Sequence, residues 1–162
     1  MSFSDSYVAG FLDGDGSIVA TIEYRPERRR FPYRVRLKIT FTQHVRHRKM
    51  IEKLRVFLGN RGHVWEVRSH NLVELVIQDR KELKATLERL KPHLVIKRMQ
   101  AELMERIIAI YDHATVKVRS SLSEKEYANI ISLVQRLRAR NSNTGGKMRI
   151  LNMSDPVTTR PR

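Results

Sequence analysis

Asp13 and Asp15 close the apolar run "VAGFLDGDGSIVA" at residues 8–20, where they alternate with Gly14 and Gly16. Glycine weakens a helix and an unpartnered carboxylate is costly to bury, so this helix end needs a chemical reason. A carboxylate at Asp15, directly after the helix, suits a hard divalent cation. Mg²⁺ takes oxygen ligands, few of them from protein and the rest from water and phosphate. Two other readings of the same letters fail. Counted from Asp13, an EF-hand loop needs Gly at its sixth position and Glu at its twelfth, where Ile18 and Tyr24 stand. A phosphate-cradling glycine loop fails because two acids repel phosphate unless a metal intervenes.

Ser6, Gly10 and Gly14 fall four apart on one helical stripe, while Val8, Phe11 and Leu12 fall mainly on another. Small residues at this spacing let two helix backbones approach closely. With one such helix in the chain, the simplest second partner is its copy in another subunit, around a two-fold axis. Tight packing inside one subunit is the alternative. The axis would bring two copies of Asp15 near each other, an arrangement suited to a two-metal phosphodiester-cleaving centre.

The elements that must position these groups are legible as pattern. A helix over about 5–14 has Ser4 as its N-cap. Residues 17–24 and 33–42 alternate as strands. In the second, Tyr33, Val35, Leu37, Ile39 and Phe41 share one face, and Arg34, Arg36, Lys38, Thr40 and Thr42 share the other. This predicts a half-buried strand with a cationic outer face, joined to the first by the loop "RPERRRF". Helical spacing over 45–59 stops at Gly59, a second hairpin over 62–68 and 72–78 turns at "RSHN", and helices follow over 79–91 and 96–114. Ser123 and Glu126 spell a capping box for a last helix. The expected fold is α+β: a mixed domain of α-β-β-α-β-β-α order, a four-stranded antiparallel sheet with helices on one face, and extra C-terminal helices. One domain is expected over 1–140, with a tail over 141–162.

Composition narrows the partners. Thirty-two Lys and Arg against 17 Asp and Glu give a net charge of +15, which favours a polyanion, nucleic acid first. No apolar run approaches the ~20 residues of a membrane span, and "MSFSDS" is not a signal peptide, so no membrane partner is expected. The lack of cysteine excludes disulfides and thiolate metal sites and fits an intracellular setting.

"VAGFLDGDG" resembles the signature of the LAGLIDADG homing endonucleases, and the element order over residues 5–113 is similar to that family's repeat. The resemblance implies a site-specific double-strand DNA endonuclease. Its single motif implies a homodimer that cuts a long, nearly palindromic site and leaves short 3′ overhangs. It further implies that Asp15 and the carbonyl of Gly14 hold the metal, with Mg²⁺ supporting turnover and Ca²⁺ binding alone. The seam would contain Gly10 and Gly14. "FTQ" at 41–43 is similar to the end of the family's second strand, which makes Gln43 the residue that orders active-site water. "LKPHLVIKRMQAEL" is similar to its third-helix region, which puts Lys97 near the scissile phosphate. Relatives often carry another basic residue one turn after the glutamine; here His47 stands there, beside Arg46 and Arg48. Asp13 reads as structural. The alternative is an RNA-binding intron splicing cofactor, a maturase, without cleavage.

Ten residues, 33–42, extend ~33 Å, so one strand tracks about ten base pairs of a duplex rising ~3.4 Å per pair. Two subunits would cover about twenty. A β-ribbon fits the major groove, where all four base pairs differ. Arg34 and Arg36 are the expected guanine readers, with Lys38 and Thr40 nearer the centre. Thr21, Glu23 and Arg25 line the partner strand, where Glu23 is suited to accept from a cytosine amine. Arg28, Arg29 and Arg30 reach the outer end of the site. Parity in the second hairpin is open between Trp65/Val67 and Glu66/Arg68, and the residues named there are Arg68, His70 and Asn71. Lys117, Arg119, Lys147 and Arg149 are expected on phosphates.

Overall fold

The computed structural model describes residues 2–28, 30–116 and 122–141. Helix α1 (Asp5–Asp15) leads into β1 (Gly16–Tyr24) and β2 (Tyr33–His44). A short turn and α2 (Arg48–Phe57) follow, then β3 (His63–Val67), β4 (Leu72–Ile77), α3 (Arg80–Leu90), α4 (Arg98–Val116) and α5 (Glu124–Arg140). The strands form one antiparallel sheet in the order β1-β2-β4-β3. This is the expected architecture, and each strand boundary lies within two residues of its sequence reading.

Local chemistry accounts for the ends. Ser4 caps α1 through its hydroxyl, which accepts from Tyr7 N at 3.2 Å. The capping box at Ser123 and Glu126 is formed in both directions. At the α1–β1 junction the chain turns so tightly that a Cβ on Gly16 would lie 2.6 Å from Leu12 Cδ1 and 2.8 Å from the carbonyl oxygen of Thr40. Only glycine fits there without displacing backbone.

Helices cover one face of the sheet. Val8, Ala9 and Leu12 of α1 join Ile18, Ile39, Phe41, Leu75 and Ile77 of the sheet, and Leu87, Met104, Ile107, Ile130 and Val134 of the later helices, in one buried core. Alpha-helix α5 is anchored at its end by Asn141, whose Nδ2 donates to the carbonyl of Ile18 at 2.9 Å. At its start Tyr127 OH bridges the backbone of Tyr33, accepting from its N–H at 3.2 Å and donating to its carbonyl at 3.1 Å. Beta-strand β4 pairs with β2 only from Ile39 to His44, so among the described residues β1 is the sole strand neighbour of residues 33–38, and Tyr127 closes part of the free edge. No helix among the described residues is long and apolar enough to cross a membrane.

Candidate nuclease centre and nucleic-acid interface

The end of α1 gathers three of the residues singled out in the sequence. Asp15 is exposed, and its Oδ2 accepts from Gln43 Nε2 at 3.0 Å. Gln43 is fixed in turn by its place at the end of β2, opposite Val73 of β4, and its Oε1 accepts from His44 N at 3.3 Å. Lys97 arrives from the other side of the fold. Its Nζ donates to the backbone carbonyl of Asp13, two residues before Asp15.

Asp13 makes this arrangement possible. Its side chain is 8% exposed and accepts three backbone N–H groups: Val95 at 2.7 Å, Ile96 at 3.1 Å and Lys97 at 2.8 Å. These amides form the bend just ahead of α4, with Lys97 at the helix start, where a negative charge is favoured. Pro92, in the turn Lys91–His93, breaks the chain after α3 and returns it towards α1. The costly buried carboxylate is thus a cap for a distant helix start, which is the structural role read for Asp13. Burial lowers the pKa of Lys97 from the ordinary lysine value, and the charges of Asp13 and Asp15 oppose that shift.

The donors fit a hard cation. Asp15 offers an exposed carboxylate, Gly14 an exposed backbone position beside it, and Asp13 is occupied by amides. No group of three or more acids, histidines or cysteines placed to hold a metal occurs among the described residues, and Asp15 is the exposed acid at this helix end. Mg²⁺ tolerates such a sparse protein shell because it retains water and binds phosphate oxygens.

His47 and Arg46 sit in the turn after β2, both exposed, with Arg46 Nε donating to His47 Nε2 at 3.1 Å. Arg48 is bound instead to Glu52 and Glu66, and both hydrogen bonds raise its pKa.

Ser6, Gly10 and Gly14 all lie exposed, and a Cβ added to Gly10 or Gly14 would meet nothing within 4 Å. A Cβ at Gly10 or Gly14 thus meets none of the described residues of the subunit. Tyr7 on the same helix is 54% exposed, and Val95 and Ile96, held to the end of α1 by Asp13, are 85% and 70% exposed. Exposed apolar side chains therefore lie on and beside the helix that carries the small-residue stripe.

The outer face of the sheet carries Thr21, Glu23, Arg34, Arg36 and Lys38, with Arg25 just beyond β1. Arg28 and Arg30 are exposed in the loop, Arg30 over the ring of Phe31 at 5.1 Å. Arg68, His70 and Asn71 are exposed at the β3–β4 turn, where Asn71 adopts a left-handed φ of 53°. Thr40 departs from this set. It shares the outer parity but is 3% exposed, and its Oγ1 has no partner. It lies between Ser17 of β1 and Val76 of β4, closed in by strands on both sides, whereas Arg34 and Arg36 have, among the described residues, a strand on one side only. Glu23 departs too, since both its carboxylate oxygens are engaged by Arg25 and Arg36. Arg29, Lys117, Arg119, Lys147 and Arg149 lie outside the described residues.

The register of the second hairpin resolves what alternation left open. Trp65 pairs with Glu74, which pairs with Thr42, so Trp65 is on the outer face. It is 60% exposed, with His63 edge-on to its ring at 6.5 Å. Glu66 points the other way, to Arg48. An exposed tryptophan on a cationic sheet is a candidate contact that sequence reasoning did not name. The signal available was the residue type alone.

Residues 8–88 match the LAGLIDADG endonuclease family. The chain is 35% identical over 103 residues to DNA endonuclease I-CreI of Chlamydomonas reinhardtii, covering 63% of this chain and 60% of that protein. It is also 35% identical over 103 residues to DNA endonuclease I-CvuI of Chlorella vulgaris, covering 64% and 62%. The chain thus spans less than two thirds of the length of these relatives. Among solved structures, I-CvuI in complex with its target in the presence of Ca superposes with a TM-score of 0.73 at 27% identity, covering 91% of this chain and 85% of that one. The match begins at Val8, the first residue of the motif that carries Asp15, and covers Gln43, and the superposition covers nine tenths of the chain: this chain belongs to the LAGLIDADG homing endonuclease family.

Proposed function

We propose that this protein is a site-specific double-strand DNA endonuclease, working as a homodimer on a long, nearly palindromic site by divalent-metal-dependent phosphodiester hydrolysis. One observation carries the reading: an exposed carboxylate, Asp15, is hydrogen-bonded to Gln43 and lies beside the carbonyl that receives Lys97, at one end of a cationic sheet. Two relatives are named DNA endonucleases, and I-CvuI is described in complex with DNA in the presence of 2 mM Mg, with the DNA not cleaved, and in the presence of 2 mM Ca, which supports the substrate and the use of a divalent ion.

The roles follow from the chemistry of each group. Asp15 and the Gly14 carbonyl would hold Mg²⁺, which supplies a Lewis acid for the oxygens that gain or lose charge during hydrolysis. Gln43 donates to Asp15 through Nε2, fixing the carboxylate, and its amide can also orient water for attack on phosphorus. Lys97 places a cation where negative charge grows as the P–O bond breaks, an interaction stronger in the transition state than in the ground state. Cutting both strands takes two such centres, and one chain carries one. The exposed stripe of Ser6, Gly10 and Gly14, flanked by Tyr7, Val95 and Ile96, supports α1-to-α1 dimerisation. In that dimer the two cationic sheets would run outward along one duplex.

Selection of cleaved molecules from a randomised duplex library with Mg²⁺ tests this reading. The expected result is enrichment of nearly two-fold-symmetric sites of about twenty base pairs. Enrichment of nothing, with tight binding to structured intron RNA, would support the maturase alternative instead.

A further inference from the structure

Glu23 is an acid on the outer face of β1, surrounded by arginines. Its Oε1 forms an ion pair with Arg25 Nη2 at 2.6 Å, its Oε2 accepts from Arg36 Nε at 2.8 Å, and Arg34 lies directly opposite it in the β1–β2 register. All this occurs at the surface, with the Glu23 and Arg36 side chains 35% and 46% exposed. A negative charge here weakens attraction to any polyanion. A solvated ion pair contributes little to stability, so folding does not explain it. Accepting from a cytosine amine would have to compete with two guanidinium donors already in place.

We propose that Glu23 is a specificity-determining positioning residue that orients Arg36, and secondarily Arg25, for base readout. This rests on the DNA-binding reading above. The contact to Arg36 uses Nε and leaves the two terminal Nη groups to reach outward. A guanine edge presents two acceptors, O6 and N7, which a guanidinium fork matches. Arginine has large rotamer freedom, and ordering it before DNA arrives removes part of the cost of binding. A tethered Arg36 is also less able to swing onto a phosphate, where it would add affinity without sequence information. The same contact holds the Glu23 carboxyl below its ordinary pKa, the hydrogen bond from Arg36 being the largest cause.

The test selects bound duplexes from a randomised library in Ca²⁺, which separates recognition from cleavage, using wild type, Glu23→Gln, Glu23→Ala, Arg36→Ala and the Glu23→Ala/Arg36→Ala double variant. Wild type should prefer guanine at one symmetric pair of positions, and Arg36→Ala should lose that preference by about tenfold or more. Glu23→Ala should lose it at the same positions, Glu23→Gln should lose part of it, and the double variant should lose no more than Arg36→Ala. Affinity for unrelated duplex should rise in both Glu23 variants, with the salt slope steeper by about one unit. Relaxation at a different position, additive losses in the double variant, or unchanged preference in Glu23→Ala would each overturn the proposal while leaving the nuclease reading intact. A DNA-free titration of the Glu23 carboxyl by NMR should show its low pKa move up towards the ordinary value in Arg36→Ala; no movement would also overturn it. Enrichment of no sequence by wild type would overturn the DNA-binding reading and this proposal with it.

Discussion

Asp13 and Lys97 hold each other through two different bonds: the Asp13 carboxylate accepts the Lys97 backbone N–H at 2.8 Å, and the Lys97 ammonium donates to the Asp13 carbonyl. The pair couples the end of α1 to the start of α4 across 84 residues of chain. A group needed for fold and a group proposed for chemistry therefore share one junction, and they can be separated by substitution.

Asp13→Ala should leave three amides without their acceptor and destabilise the protein by about 1–3 kcal/mol. Cleavage should fall further than stability accounts for, because the 95–97 segment that carries Lys97 is released. Denaturant unfolding and single-turnover cleavage, both at a temperature where the variant is folded, check this. A stable variant with wild-type cleavage would mean that the junction does not position Lys97.

Gly10→Leu and Gly16→Ala should fail in different ways. A Cβ added at position 10 would meet nothing within 4 Å, so the fold should form while the leucine wedges the α1 seam apart, and sedimentation should show a monomer. Gly16→Ala would drive a Cβ into Leu12 and the Thr40 carbonyl, and should cost about 1–3 kcal/mol from strain. A Gly10→Leu variant that remains dimeric at low micromolar concentration would place the interface elsewhere.

Lys97→Met should lower the single-turnover cleavage rate by about 10²–10³-fold, the range seen when one group stabilising developing charge is removed. Affinity for the target in Ca²⁺ should change little, because one phosphate contact among many is lost, and methionine keeps most of the aliphatic packing. A matched loss of rate and affinity would make Lys97 a binding residue only.

What the sequence showed and hid follows the range of the interactions. Ser4, the Ser123 capping box and the alternation of Tyr33–Phe41 are local patterns, and each is found where its pattern put it. The partner of Asp13 lies more than eighty residues away, and nothing near Asp13 announces it. The parity of "HVWEV" was unreadable because both phases of the strand mix apolar and polar residues; only pairing of Trp65 with Glu74 assigns it. Thr40 kept the predicted parity yet is buried, since alternation says which way a side chain points and not how closely the neighbouring strands cover it. Asp15, Gln43 and Lys97 could be named together only through the family resemblance, because their approach is made by tertiary structure.

Asp15→Asn separates a role of Asp15 in cleavage, as proposed above, from a role in folding or recognition. On a site selected by the wild type, with enzyme in excess over DNA and Mg²⁺ present, the variant should show no double-strand cleavage. Its binding to the same duplex without metal should be equal to wild type or tighter, because a negative charge near phosphate has been removed. Cleavage by Asp15→Asn at the wild-type rate would remove Asp15 from the catalytic centre.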